Sequence, residues 1–336
     1  MKKLLNDPNA CAAELLDGLI DAYDGQCEKA GRASIVKKNI PDGKVALLVG
    51  GGSGHEPVYH GLVGTNLADG AACGDIFAAP SPDIVLDATK AVHRGKGVLF
   101  LYGNYAGDVM NFDMGAELAE DEDIEVRTVL IWDDVASAPS TEKDKRRGIA
   151  GLVPIVKIAG AASQVVDSLD ELERITLKVR DNTRSIGCAL APGSIPATGK
   201  PTFDLDDDKL GLGMGIHGER GVGEIPMCSA DELTGKMLDL IFADDLEFNG
   251  GDEVVLFVNS LGATTHMELL ICNHKARKIL AEKGIVVHQT ILGPLVGCQE
   301  MAGISFSLTK LDDELKRLWD MPCQSACYSK MEGPQA

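Results

Sequence analysis

Short apolar runs alternate with segments of helical periodicity through the first half of the chain. The pattern predicts strands at 44–50, 97–102 and 125–132, and helices at about 81–94 and 107–121. Strands separated by helix-length segments are typical of parallel βαβ units, so this half predicts an α/β domain. A helical stretch at about 148–186 follows, and Ser168 with Glu171 forms a capping-box pattern within it.

The character of the sequence changes near residue 187. Gly, Pro and Ser cluster in 191–201, and acidic residues follow at 204–208, which indicates a domain junction or a long loop. Beyond it the pattern predicts a capping box from Ser229 to Glu232 and a helix near 264–282, with strands at 253–258, 284–287 and 305–309. We therefore expect two α/β domains with mainly parallel or mixed sheets, at 1–185 and 186–336.

Composition narrows the classes of partner. The chain of 336 residues carries 32 basic and 51 acidic side chains, a formal net charge of −19. Nucleic acid and anionic membranes are disfavoured, because both attract concentrated Lys and Arg. The sequence lacks a long apolar run and a secretory signal pattern, and its nine cysteines show no paired spacing. These features predict a cytoplasmic protein with free thiols.

A glycine-rich segment, Gly-Gly-Gly-Ser-Gly-His at 50–55, lies at the end of the strand predicted at 44–50. It has neither the lysine of a P-loop nor the spacing of a dinucleotide fingerprint. Asp108 follows the strand at 97–102. If the two strands are neighbours, His55 and Asp108 meet at one sheet edge as a general acid/base pair. The alternatives are a tight turn with a structural histidine, and a helix-capping aspartate.

A second histidine, His217, lies among the closely spaced glycines of 211–221. Glycines leave room for a ligand or another backbone to approach, and a neutral imidazole nitrogen is a nucleophile. The alternative is a glycine-rich strand or loop with an incidental, exposed histidine.

Taken together, these stretches resemble the dihydroxyacetone kinase family, specifically its substrate-binding K subunit. The resemblance rests on an ordered set that spans almost the whole chain: 1–7, 50–57, 74–77, 104–108 with Asn111 and Phe112, 147–151, 211–219 and 300–303. It implies that His217 attacks the ketone of dihydroxyacetone or a related short ketose and holds it as a covalent hemiaminal. It also implies that Gly52, Ser53 and Gly54 contact the substrate, and that Asp108 with His55 activates the terminal hydroxyl.

Two departures from the family pattern bear on the substrate. The family usually has Lys and Thr where this chain has Gly103 and Ala106. Loss of the cationic side chain enlarges the substrate pocket, so we expect acceptance to extend toward a tetrulose such as erythrulose.

The remaining expectations concern partners. The sequence shows no nucleotide loop followed by a cluster of aspartates suited to Mg²⁺. The resemblance therefore implies that this chain binds no cofactor or metal, and that a separate nucleotide-binding L-type subunit holds ATP and Mg²⁺. It also implies a homodimer. One alternative is the subunit of an erythrulose kinase. Another is a non-catalytic sensor that binds ketose through His217 without phosphorylating it.

Overall fold

The computed structural model describes residues 2–23 and 25–331. Within this part of the chain there are two compact units. The first unit comprises Lys2–Leu130, Ile155–Val179 and the segment from Asp313 onward, and the second comprises Ile131–Pro154 and Arg180–Asp312. No helix among the described residues combines the length and the apolarity that crossing a bilayer requires.

The secondary structure is a mixture of strands and helices. In chain order, the strands are β1 (Cys27–Ala30), β2 (Ser34–Lys37), β3 (Ala46–Ser53), β4 (Gly70–Ile76), β5 (Val98–Gly103), β6 (Val126–Ile131), β7 (Thr183–Ala191), β8 (Lys209–Leu212), β9 (Gly223–Pro226), β10 (Glu253–Ser260), β11 (Val286–Gly293), β12 (Ala302–Leu311), β13 (Cys323–Gln324) and β14 (Ser329–Lys330). The α-helices are α1 (Cys11–Ala22), α2 (Pro82–Val92), α3 (Ala106–Glu120), α4 (Leu152–Ala162), α5 (Leu169–Asp181), α6 (Ala230–Phe242), α7 (His266–Glu282) and α8 (Asp313–Asp320).

The first unit is built on a mixed sheet of six strands in the order β1-β2-β4-β3-β5-β6. Strand β3 lies at its centre and runs parallel to both β4 and β5, whereas β1, β2 and β4 pair antiparallel. Apolar side chains of α2 and α3 pack on one face of this sheet, where Leu48, Phe100 and Phe112 are completely buried. Burial of these large side chains supplies the main driving force for the unit.

The second unit contains a six-stranded sheet in the order β11-β10-β12-β7-β8-β9. Only β10 and β11 run parallel, and the remaining neighbours are antiparallel. Helices α6 and α7 cover one face around Leu256 and Phe306. Both helices begin with a complete capping box, which satisfies the backbone N–H groups that a helix start leaves unpaired.

The predicted fold class, two-part α/β with mixed sheets, is confirmed, and the long predicted elements are present with shifted ends. The helical stretch predicted at 148–186 is wrong beyond Asp181, because Thr183–Ala191 forms β7. This strand is buried along most of its length, so it lacks the alternation that identifies a half-exposed strand.

The compact units are not divided at residue 185, where the sequence predicts a boundary, because each unit includes segments from both sides of it. Residues 133–135 extend the second sheet, since the backbone N–H of Val135 donates to Ser185 and that of Ser185 donates to Asp133. Conversely, Glu314 of α8 pairs with Arg174 and Lys178 of α5 in the first unit. The predicted boundary rests on a change in composition, whereas compactness depends on which segments share a sheet or a helix layer.

A buried carboxylate anchors the beginning of β3. Asp69 is fully buried, accepts from the backbone N–H of Leu47, and pairs with Lys44 and Lys37. Burial alone would raise the pKa of Asp69, but the ammonium groups of Lys44 and Lys37 hold it below its ordinary value. The ammonium of Lys44 also donates to Ser163 of the segment that follows α4. Asp69 therefore fixes where β3 starts relative to its neighbours.

We expect Asp69→Asn to destabilise the protein by about 3–5 kcal/mol, because it leaves the buried charge of Lys44 without its counter-ion. Urea unfolding followed by circular dichroism measures this change. Asp17→Asn is the matched control, since the Asp17–Lys29 pair is largely exposed and such pairs contribute about 0–1 kcal/mol. Equal effects of the two substitutions would contradict the anchoring role of Asp69.

Candidate active site

The candidate acid/base residues follow neighbouring strands of the first unit. Strands β3 and β5 pair in parallel, with Ala46 opposite Val98 and Val49 opposite Leu101. His55 follows the end of β3, and Asp108 lies in the first turn of α3, just after β5. The two strands are therefore neighbours, which meets the condition set by the sequence analysis, and both residues come from the carboxyl edge of the sheet, where parallel α/β folds bind ligands.

The glycine-rich segment is mostly strand rather than loop. Gly50, Gly51 and Gly52 pair with residues 72–74 of β4 as the last part of β3. A Cβ at Gly50 would lie 2.6 Å from the Phe112 ring, and one at Gly52 would lie 2.9 Å from the backbone nitrogen of Ala78. These glycines are thus required by packing against the protein itself.

The residues after β3 are held by local hydrogen bonds. The hydroxyl of Ser53 donates to the carbonyl of Gly74 at 2.7 Å, and the N–H of Gly54 donates to the Glu56 carboxylate at 2.8 Å. Gly54 has a φ of +103°, and a Cβ there would lie 2.6 Å from the Phe77 ring. The centroid of the Phe77 ring is 5.2 Å from that of the His55 imidazole, and His55 is 2% exposed. His55 is therefore held in a fixed, nearly dry position.

Gly103 and Asp108 lie at the junction of β5 and α3. Gly103 is buried as the last residue of β5, and its carbonyl accepts from the N–H of Tyr105 at 2.8 Å. Ala106, the first residue of α3, is exposed. The partial positive charge at a helix start favours a carboxylate in the first turn, and the ionised form of Asp108 is the one that accepts a proton.

His217 belongs to the second unit, in the connection between β8 and β9. These two strands form an antiparallel hairpin in which Leu212 pairs with Gly223. The connection folds back on itself, since the N–H of Gly215 donates to the carbonyl of Glu219 at 2.8 Å. His217 thus lies on a structured loop at the edge of the sheet, and its side chain is 28% exposed.

Glu219 holds the ring of His217. Its Oε1 lies 2.9 Å from the ring Nδ1, and its Oε2 accepts from the backbone N–H of His217 at 2.9 Å. Burial would raise the pKa of Glu219, but the hydrogen bonds and charge interaction with His217 lower it to about 2. An ionised carboxylate can only accept, so the Nδ1 that faces it carries a proton, and Nε2 is the ring nitrogen at which a lone pair can become available.

Arg147 joins this loop to a buried aspartate. Its guanidinium donates to Asp134 Oδ2 at 2.7 and 3.0 Å, and also to the carbonyls of Gly213 and Glu219 at 3.0 and 3.1 Å. Burial raises the pKa of Asp134 to about 6, with the charge of Arg147 opposing that rise. The pair therefore remains charged at neutral pH.

Sequence reasoning identified His217 but assigned no role to Glu219, Arg147 or Asp134. Glu219 is two residues from His217, a spacing that carries no signal outside regular structure. Arg147 lies 72 residues before Glu219 in the chain, so only the fold brings them together.

The chain is similar to known proteins along nearly its whole length. The model of the Dak1 domain matches residues 17–327. The dihydroxyacetone-binding subunit DhaK of PTS-dependent dihydroxyacetone kinase 2 from Listeria innocua is 40% identical, over 98% of this chain and 99% of the relative. The L-erythrulose 1-kinase of Mycolicibacterium smegmatis is 38% identical, over 98% of this chain and 58% of the relative.

A solved structure supports the same assignment. The dihydroxyacetone kinase from C. freundii, crystallised with AMP-PNP and Mg²⁺, superposes with a TM-score of 0.90 at 27% identity, over 100% of this chain and 62% of that one. Both the sequence match and the shared architecture extend through the two units described above. The chain therefore belongs to the dihydroxyacetone kinase family, as a protein with its Dak1 domain.

Proposed function

We propose that this chain is the substrate-binding subunit of a short-chain ketose kinase, which holds its substrate covalently on His217. The observation that carries the proposal is the contact between His217 Nδ1 and the ionised Glu219. It assigns the nucleophilic role to Nε2 of a side chain that is 28% exposed, on a structured loop. The dihydroxyacetone-binding relative from Listeria innocua supports a ketose as the substrate.

The covalent step follows from this arrangement. Nε2 attacks the carbonyl carbon, a C–N bond forms, and the π electrons of the carbonyl pass to its oxygen. Positive charge builds on the ring, where Glu219 stabilises it beside Nδ1. The ring then gives up its Nδ1 proton and the oxygen takes up one proton, which leaves a neutral hemiaminal. Polyols such as glycerol have no carbonyl and are excluded by this chemistry.

Asp108 supplies the second half of the reaction. It accepts the proton of the terminal hydroxyl as that oxygen attacks the γ-phosphorus of the donor, whose bond to the departing ADP breaks, and His55 assists from the neighbouring strand end. Gly52, Ser53 and Gly54 form the substrate-contacting wall of this edge. We propose that ATP and Mg²⁺ are held by a separate nucleotide-binding L-type subunit and that the ketose-binding chain is a homodimer. Two comparisons support a nucleotide site on another chain: the Listeria innocua relative is named as one subunit of its kinase, and this chain covers only 62% of the C. freundii kinase that was crystallised with AMP-PNP and Mg²⁺.

Removing either catalytic group has a distinct expected result. His217→Ala abolishes ketose binding, whereas Asp108→Asn still forms the adduct and loses about 10²–10⁴-fold in phosphorylation rate, the usual contribution of a general base. Carbon-13 NMR of [2-¹³C]dihydroxyacetone measures adduct formation on the chain alone, and a coupled assay with the nucleotide-binding subunit measures turnover.

Two exposed residues give matched controls: His274→Ala on α7 and Asp113→Asn on α3, the helix that carries Asp108. Both leave adduct formation and turnover unchanged. Absence of an adduct with the unmodified chain would refute the covalent mechanism. An adduct without any turnover would instead identify a ketose-binding sensor.

The substrate range is proposed to include four-carbon ketoses. Gly103 is buried at the end of β5 and adds no side chain to the carboxyl edge that bears Asp108. The family pattern places a lysine there, so this chain lacks both its bulk and its donor. The similarity to the L-erythrulose 1-kinase of Mycolicibacterium smegmatis supports this widening.

We expect kcat/KM for one erythrulose enantiomer to equal or exceed that for dihydroxyacetone. Gly103→Lys, alone and with Ala106→Thr, shifts the preference back toward dihydroxyacetone because the added side chain fills the extra space. Ala106→Thr alone controls for an unrelated change at the exposed start of α3. A large advantage of dihydroxyacetone over both enantiomers in the unmodified chain would disprove the widening.

A further inference from the structure

Arg147 contacts the loop that carries His217 on both sides of that histidine. Its Nη2 donates to the carbonyl of Gly213, where the loop begins, and its Nη1 donates to the carbonyl of Glu219. A weaker contact reaches the carbonyl of Arg220 at 3.4 Å. One rigid guanidinium therefore fixes the separation of two backbone points on either side of His217.

The other side of Arg147 is fixed to the second sheet. Two of its nitrogens donate to Asp134 Oδ2, and Asp134 is 1% exposed while the Arg147 side chain is 11% exposed. Asp134 in turn is held by its neighbours, because the N–H of Val135 donates to Ser185 of β7 at 3.0 Å and the N–H of Ala136 donates to Asp134 Oδ1 at 3.0 Å. Arg147 therefore links the loop to β7 through a buried ion pair, in addition to the hydrogen bond that the N–H of Gly213 donates to the carbonyl of Gly187 in β7.

Within the loop the other contacts are short-range: the N–H groups of Gly215 and Gly218 donate to the carbonyls of Glu219 and Gly215, and His217 pairs with Glu219. The loop is rich in glycine, and two of its residues, Gly213 and Gly218, have φ of +72° and +86°. Glycine has the largest backbone freedom to lose on folding, so such a loop samples many conformations unless external contacts select one. The geometry of His217 and Glu219 depends on that selection, since both stand between the points that Arg147 holds.

We propose that Arg147, braced by Asp134, is a positioning residue for His217: it clamps the β8–β9 loop in the conformation in which Glu219 orients the nucleophilic ring. This inference rests on the proposed function, because it assigns Arg147 to the ketose-binding step. It also gives a role to the stretch at 147–151, which contributed to the family resemblance without a chemical explanation.

The expected effect of Arg147→Lys is on ketose binding more than on phosphoryl transfer. Lysine keeps the charge but cannot reach Asp134 and two separate carbonyls at once. Loss of one or two hydrogen bonds to a charged group corresponds to a rise of about 10–100-fold in the dissociation constant and KM for ketose. Because Asp108 and His55 are unchanged, kcat at saturating ketose stays within about threefold of the unmodified chain.

Spectroscopy separates positioning from a merely structural role. In ¹⁵N–¹H correlation spectra of the free chain, His217 shows the Nδ1–H tautomer. In Arg147→Lys and Arg147→Gln it becomes a mixture of tautomers, while the melting temperature shows that the chain remains folded. Asp134→Asn keeps an oxygen that accepts from Arg147 but removes the carboxylate charge. Its effect on ketose affinity and on the His217 tautomers is therefore smaller than that of the Arg147 variants and in the same direction. It also tests the clamp if the Arg147 variants do not fold.

Arg220→Gln is the matched control, an exposed arginine of the same loop, and it changes ketose affinity less than about twofold. The clamp is overturned if folded Arg147→Lys binds ketose as tightly as the unmodified chain, or if kcat falls with KM and the His217 tautomer unchanged. If the unmodified chain itself forms no adduct, the covalent function fails first, and the tautomer spectra still report whether Arg147 orders the loop.

Discussion

The three glycines near the end of β3, Gly50, Gly51 and Gly52, must carry no side chains, and much of the first unit is arranged around that constraint. Phe112 reaches this strand end from α3, Tyr59 lies over Gly51, and Phe77 lies against Gly54. Even a methyl group at these positions would overlap atoms already in place, several of them backbone. The bare strand end therefore lets aromatic side chains pack closely beside His55, while parallel pairing with β4 and β5 sets the edge at which Asp108 follows. The residues proposed to carry the chemistry thus lie directly beside the residues that this packing fixes.

The hydrophobic pattern predicted the strands that carry this edge because they are short, apolar and separated by helices. It could not show that β3 continues through three glycines, since glycine contributes nothing to periodicity. It also missed β4, which is rich in Gly and Ala and gives no apolar run of bulky side chains. The ladder of backbone hydrogen bonds, which leaves no mark in the pattern, decides both cases.

At the candidate site, too, the neighbouring sequence identified one residue, whereas only the fold revealed its partners. His217 was recognisable because an isolated imidazole among glycines is chemically unusual, and the family resemblance assigned it a role. Its environment was not recognisable. A carboxylate two residues away and an arginine from before β7 become partners only when the β8–β9 connection folds back on itself. Long-range pairs of this kind depend on topology, which a single sequence does not reveal.

Each unit is assembled from segments that are far apart in the chain, which affects how the chain folds during synthesis and where it can be divided. Neither unit is a continuous stretch: residues 131–154 complete the sheet of the second, and α8, near the end of the described chain, joins the first through Glu314. A ribosome that has released only the first half has delivered no complete unit, so the usual order of folding, N-terminal domain first, is unavailable. For the same reason, cutting the gene at residue 185 yields two fragments that each lack part of their own core. His217 and Asp108, the proposed nucleophile and base, thus lie in units that each draw on segments from both sides of residue 185.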